Sequence, residues 1–317
     1  MRRARRRISS DRLACGRGAQ DGFILIAVLW MLAALAALVV IVSQQLGSSA
    51  RLLRLEDGVV QADALASAAI ELSAYRLMLS KEEERPRQGS FRLALAGNDI
   101  AVSFVSEAAR IDLNTAPVEM LEALFVTVGT ERDAAKDFAE RVVAWRSKPS
   151  DAAKAQAEEA RYAAAGLARM PRLAPFAHVS ELALVLGIPA ALVERTLPFI
   201  TVFNGSPGID PTIAPPEVVA ALPGMTPLIL KDFLNARASL MQDADALTKT
   251  LGPAAKDAAK GKSKAYRLSI LVEPAGGLRH AATAVIIPGE GEEPYRLLAR
   301  QDAGPQPRGA RQARLTP

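Results

Sequence analysis

Few side chains in this chain of 317 residues are placed to do chemistry. Its two histidines, His178 and His280, are far apart in sequence, and neither lies in a metal-ligand spacing or beside a nucleophile signature. The single cysteine, Cys15, has no partner for a disulfide. No glycine-rich phosphate loop appears, so the residues carry no catalytic assignment, no cofactor assignment and no metal set. The chemistry that is legible is done to the chain. Gly22 separates a leader containing Arg2, Arg3, Arg5, Arg6, Arg7, Arg12 and Arg17 from an uncharged run, Phe23 to Val42, so that a cut at this border would fall before the apolar segment.

The run from Phe23 to Val42 is about 30 Å long as a helix, enough to cross a hydrocarbon core. Leader charges set its direction. Seven arginines against Asp11 and Asp21 give the leader +5, which equals the formal charge of the whole chain. The body after it is therefore close to neutral, and the basic balance speaks for a cytoplasmic amino terminus with the rest exported rather than for a nucleic-acid-binding body. An ordinary secretory signal has a shorter apolar core and a cleavage site beyond it. This junction instead resembles the type IV prepilin signal. That resemblance implies cleavage after Gly22 by a membrane peptidase and methylation of Phe23; the other reading is an uncleaved signal anchor held by its positive leader. Major pilins carry glutamate at the fifth position after the cut, where this chain has Ala27.

Beyond the membrane, the spacing of Leu52, Leu55, Val59, Ala62, Ala66, Ala69, Leu72, Tyr75 and Leu79 predicts the buried face of an amphipathic helix running to about Ser80. Phe91, Leu93 and Leu95 then alternate, Gly97-Asn98-Asp99 turns, and Ile100, Val102 and Phe104 alternate again, which is a hairpin pattern. The same period returns at Tyr266–Val272 and Ala281–Ile287, joined by a Pro-Ala-Gly-Gly turn at 274–277, with a short strand around Tyr295–Ala299. The expected fold is α+β: a long amino-terminal helix packed on one antiparallel sheet, with a large all-α insert between strands. The expected organisation is a leader at 1–22, a membrane helix at 23–42, a membrane-proximal helix and first strands at 43–110, a helical insert at 111–255, last strands at 256–302 and a disordered tail at 303–317. Asp151–Leu167 reads as a solvated alanine-rich helix, and Gly252–Lys264 as a flexible connection.

The insert contains an internal echo. Ile111-Asp-Leu-Asn-Thr-Ala-Pro-Val-Glu-Met-Leu-Glu-Ala-Leu124 recurs as Ile209-Asp-Pro-Thr-Ile-Ala-Pro-Pro-Glu-Val-Val-Ala-Ala-Leu222. In the first copy Asn114 or Thr115 is placed to cap a helix, and Pro117 suits its first turn. Together with His178-Val-Ser-Glu-Leu-Ala-Leu-Val-Leu-Gly-Ile188, Leu197-Pro-Phe-Ile-Thr-Val202 and Pro216–Met225, behind this leader, the segments resemble the general secretion pathway protein K family, the large minor pseudopilins of type II secretion systems. The resemblance covers nearly the full length. It implies a pseudopilin fold and a non-enzymatic role capping or initiating the pseudopilus in export of folded proteins across the outer membrane. It also implies single-pass insertion in the inner membrane with a periplasmic domain. The partners it implies are other minor pseudopilins, the prepilin peptidase and the inner-membrane assembly platform, and calcium is the one ion it brings into view.

A different class of function rests on Leu222-Pro-Gly-Met-Thr-Pro-Leu-Ile-Leu-Lys-Asp-Phe-Leu-Asn-Ala-Arg237, which resembles a helix-hairpin-helix. A glycine turn of this kind can present amides to a nucleic-acid phosphate, so a membrane-anchored DNA receptor is the alternative. Pro227 lacks the donor amide, and only Lys231 and Arg237 supply charge beside Asp232. Nucleic acid is therefore not the expected ligand.

Overall fold

The computed structural model describes residues 21–148, 152–166, 171–240, 244–258, 263–274, 279–289 and 293–306. The leader with Cys15, the turn residues 275–278 and the tail from 307 onward lie outside the described residues. Two compact units divide at Val60 and Gln61, and α1 (Asp21–Met78) contributes to both.

In the first unit, Leu25–Ser43 forms a helical stretch long and apolar enough to span a membrane, with none of it buried against protein. Trp30 and Leu25 are each 73% exposed, a surface that water does not tolerate but lipid does.

The second unit is built on a sheet of order β1-β2-β5-β6-β7. Its strands are β1 (Gln88–Leu95), β2 (Asn98–Ser106), β5 (Tyr266–Pro274), β6 (Arg279–Pro288) and β7 (Tyr295–Gln306), all paired antiparallel. Alternation in the sequence makes one face apolar: Ile100, Val102, Leu268, Ile270, Val272, Ala282, Ala284 and Ile286 pack against Leu65, Ala66, Ala69, Ile70, Ala74 and Leu77 of α1. Alanines on the helix let it approach the sheet closely. Arg300 of β7 ties the outer strand to α1 by hydrogen bonds to Ser67 Oγ (2.9 Å) and to Asp63.

Three details differ from the sequence expectation here. The buried stripe of α1 is rotated, so Ala62, Ala66 and Ala69 are buried as expected but Tyr75 and Leu79 are 60% and 68% exposed. The face through Leu65, Ile70 and Leu77 is the one turned to the sheet, and all three are wholly aliphatic where Tyr75 carries a hydroxyl. The hairpin turn consists of Ala96 and Gly97, both at positive φ (50° and 74°), as a two-residue turn between right-twisted strands requires; Asn98 Nδ2 stabilises it by donating to the Ala96 carbonyl at 2.8 Å. Finally, β7 runs to Gln306, so residues 303–306 are strand rather than tail, held by pairing with β6.

Between β2 and β5 the chain forms the insert. It contains α2 (Val118–Thr127), α3 (Arg132–Arg146), α4 (Ala152–Ala164), α5 (Ala190–Thr196), α6 (Pro216–Ala220), α7 (Pro227–Leu240) and α8 (Ala244–Leu251). It is not all helical: β3 (Ile111–Asp112) and β4 (Ile200–Thr201) pair in parallel, because Ile111 and Ile200 meet at the centre of the insert's core. Helix α4 is also less solvated than its alanine content implies, since Tyr162 is buried against Trp145, with ring centroids 6.2 Å apart. The stretch expected to be a connection opens with a 3-10 turn, Gly252–Lys256, anchored by buried Ala254.

Candidate functional site

The junction of sheet and insert holds the most strongly coupled polar groups. At the end of β2, Ser106 Oγ accepts the Ala108 N–H and turns the chain into Glu107-Ala-Ala109. Glu107 is wholly buried. Its carboxylate accepts from the Arg267 guanidinium of β5 at 2.7 and 3.2 Å, and from the Thr201 hydroxyl of β4. Arg110 stands 4.0 Å from Glu107 and donates through Nε to the Pro198 carbonyl at 3.1 Å. Burial first, then repulsion by Arg267, lowers the Arg110 pKa to about 10 against the pull of Glu107, which leaves it cationic at neutral pH. A second ion pair crosses the same seam, from Arg87 to buried Asp210 at 2.6 Å. One carboxylate therefore joins both central strands' ends to the insert.

The echoed segments fold alike. In the first, Asp112 Oδ1 accepts the Asn114 N–H and the Asp112 carbonyl accepts the Ala116 N–H; in the second, Asp210 does the same for Thr212 and Ala214. Each turn leads into a short helix, α2 or α6, then a glycine at positive φ (Gly129 at 96°, Gly224 at 82°), then a second helix. An arginine of that second helix returns to the turn's carbonyls. Arg146 of α3 donates to Leu113 and Ala116, both at 2.6 Å, and Arg237 of α7 to Thr212 and Ala214, at 2.8 and 2.5 Å. The capping role expected of Asn114 and Thr115 is corrected: Asn114 clasps the backbone of Phe176 through both its amide atoms, and Thr115 donates to the Ser206 carbonyl. Pro117 is the residue at the amino-terminal boundary of α2, with no side-chain cap. The second copy, with Thr212 and Ile213 there, lacks those two tethers.

Asp112 gives a pH test. Burial raises its pKa above 3.8, against the backbone N–H groups of Gly205, Asn114 and Asn204 and the Arg146 charge. The folded chain therefore binds this proton more tightly than the unfolded one. The group's contribution to stability is complete below the unfolded value and falls as pH rises through the folded value. Comparing urea unfolding with that of Asp112→Asn, which cannot titrate, the difference should favour the native residue more at about pH 4.5 than at about pH 7.5. A pH-independent difference would contradict it.

The sequence-derived site residues are dispersed. Gly22 and Phe23 open α1, and Ala27 is exposed on it. His178 accepts the Ser180 N–H through Nδ1 and so caps a 3-10 turn, while His280 is buried in β6, 3.5 Å from Asp302. Lys231 is exposed; Arg237 is engaged by the carbonyls just described. Neither hairpin turn is an open anion site, since Glu131 fills the start of α3 by accepting the Asp133 and Ala134 N–H groups, and Thr226 accepts the Ile229 N–H. Among the described residues no three His, Cys, Asp or Glu side chains converge to hold a metal ion. Sequence reasoning missed Glu107 and Arg267, whose separation of 160 residues leaves no local pattern.

Residues 98–205 match the family model for the type II secretion system (T2SS), protein K. That match covers about a third of the chain, so it records a similarity of this segment. The matched segment runs from β2 through the Glu107 junction and the first hairpin to just beyond β4. No curated protein matches the chain. Among solved structures, a chain of the GspK-GspI-GspJ complex from the enterotoxigenic Escherichia coli type 2 secretion system is similar over 79% of this chain and 98% of that one, with 19% identity and a TM-score of 0.55. At that identity the likeness establishes the fold, a helix on an antiparallel sheet with a helical insert, and the exposed apolar amino-terminal helix fits a single-pass membrane anchor.

Proposed function

We propose that the chain caps or initiates the pseudopilus of a type II secretion system, held in the inner membrane with its amino terminus cytoplasmic and its second unit periplasmic, and that it supports export of folded proteins across the outer membrane without catalysing a reaction. The observation that carries this reading is the exposed apolar face of α1. Leu72 is half-buried, Tyr75 and Leu79 are largely exposed, and Met78 beside them is 40% exposed, on a helix whose opposite face is already used by the sheet. Such a face suits the helices of other minor pseudopilins, and GspK, GspI and GspJ associate in the similar crystal structure.

Two further features favour the tip. A carboxylate within the bilayer costs on the order of 2.5–3.5 kcal/mol on insertion scales, so it persists only where a partner needs it. Ala27 replaces it here, consistent with a subunit that has no neighbour above it. The insert adds bulk on one side of the pilin-like unit that would obstruct stacking of a further subunit.

The test is the location of a label in assembled fibres. With Cys15→Ser removing the native thiol, a gold-labelled cysteine at exposed Lys148 of the insert should mark fibre ends alone. Labels repeating along the shaft would exclude the cap and make Ala27 an incidental difference.

A further inference from the structure

The two hairpins leave an open groove of about 640 Å³ between them, which neither the membrane anchor nor the exposed face of α1 involves. One wall is α2, with Ala123 and Val126; the other is the loop into α7, with Pro223, Met225 and Leu230. Its lining is apolar and partly open to water: Val126 is 36% exposed, and Leu228, next along α7, is 68% exposed. The rim is charged unequally. Glu119 and Glu122, one turn apart on α2, oppose the single guanidinium of Arg132.

The loop Leu222–Pro227 is the part of a helix-hairpin-helix that would meet a phosphate, and its chemistry here is different. The Met225 N–H is bonded to the Leu222 carbonyl, the Thr226 hydroxyl serves the start of α7, and Pro227 has no N–H. The Met225 amide is thus occupied and Pro227 has none to offer, and two carboxylates line the same groove. A polyanion is repelled here, whereas aliphatic side chains gain by covering the apolar walls and basic ones by meeting the carboxylates.

We propose that this groove docks a segment of a partner protein that carries aliphatic residues flanked by lysine or arginine. The proposal does not depend on the pseudopilus reading, since it concerns the hairpins alone. It is tested on the full chain in detergent, with a fluorescein-labelled peptide of leucine and lysine as the probe and fluorescence anisotropy at physiological salt as the readout. Partition of the peptide into detergent is common to every protein compared and cancels.

Binding to the native chain should exceed binding to Glu119→Gln/Glu122→Gln by about five- to tenfold, two partly exposed ion pairs being at stake. Val126→Ser, which removes apolar wall without changing the charge, should weaken it as well. The glutamine variant preserves side-chain length and helix propensity at surface positions, and an unchanged thermal unfolding profile shows that it is folded. Equal binding to native and variant chains, no binding at all, or equally tight binding of a leucine–glutamate peptide would each overturn the proposal. Salt-sensitive binding of a fluorescein-labelled DNA duplex to the native chain, measured without the peptide and weakened by Arg132→Gln, would overturn it in favour of a phosphate site.

Discussion

Replacing Glu107 by alanine should cost the folded chain about 3–5 kcal/mol, the loss expected when one member of a buried ion pair is removed and its partners are left uncompensated. Arg267 and Arg110 are the partners, the first bonded to Glu107 through two nitrogens and the second held close by its own bond to Pro198. Thr201 loses its acceptor as well. Urea unfolding of the full chain, followed by tryptophan fluorescence, reads the loss directly, because Trp145 lies in the insert's core and reports that the insert has come apart. The paired substitution Glu107→Leu/Arg267→Met should cost clearly less than Glu107→Ala, since exchanging a buried pair for apolar groups of similar volume removes the desolvation penalty along with the attraction. A loss below about 1 kcal/mol for Glu107→Ala would place the junction with surface ion pairs, which contribute little.

The second large effect is close to all-or-none. The chain isolated from membranes of cells making the prepilin peptidase should begin at Phe23, with the added mass of one methyl group on its amino terminus. Gly22→Ala should block or slow the cut if the peptidase reads this glycine as it does in the prepilin signal the junction resembles. Processing would also remove Cys15 and all seven leader arginines, leaving a nearly neutral mature protein. Intact mass spectrometry separates the outcomes without ambiguity. A functional protein that retains its leader would make residues 1–42 a signal anchor and sink the prepilin reading.

Much of the architecture was legible because it is written in short-range periods. Alternation at Ile100-Val102 and Leu268-Ile270-Val272 marks strands whatever their order, and twenty uncharged residues mark the membrane segment by length alone. What was misjudged depends on the shape of the partner surface. Tyr75 and Leu79 have the helical spacing of a buried stripe, but the sheet accepts Leu65, Ile70 and Leu77 instead, and nothing in the helix sequence states where the sheet lies. Asn114 and Thr115 illustrate the same limit at a smaller scale. Their types suit a cap, yet Phe176 and Ser206, distant in sequence, compete successfully for their hydrogen bonds. The Glu107 junction was beyond reach for the same reason, as a buried carboxylate is recognised only by the cations that surround it.

The position of the insert has a consequence for how the molecule acquires its fold. Strands β2 and β5 are direct neighbours in the middle of the sheet, with Ser106 opposite Tyr266, yet the chain between them is longer than many whole domains. Closing a flexible loop of this length costs roughly 4–5 kcal/mol by the logarithmic scaling of chain entropy, before any pairing repays it. A folded insert removes that cost, because its two ends already meet where the Glu107 N–H donates to the Ala265 carbonyl at 2.9 Å. The inexpensive route is for the insert to condense first and act as a clamp that delivers β5 to the waiting β1–β2 hairpin. In a chain synthesised amino terminus first, that hairpin must keep an unpaired edge until the insert has closed.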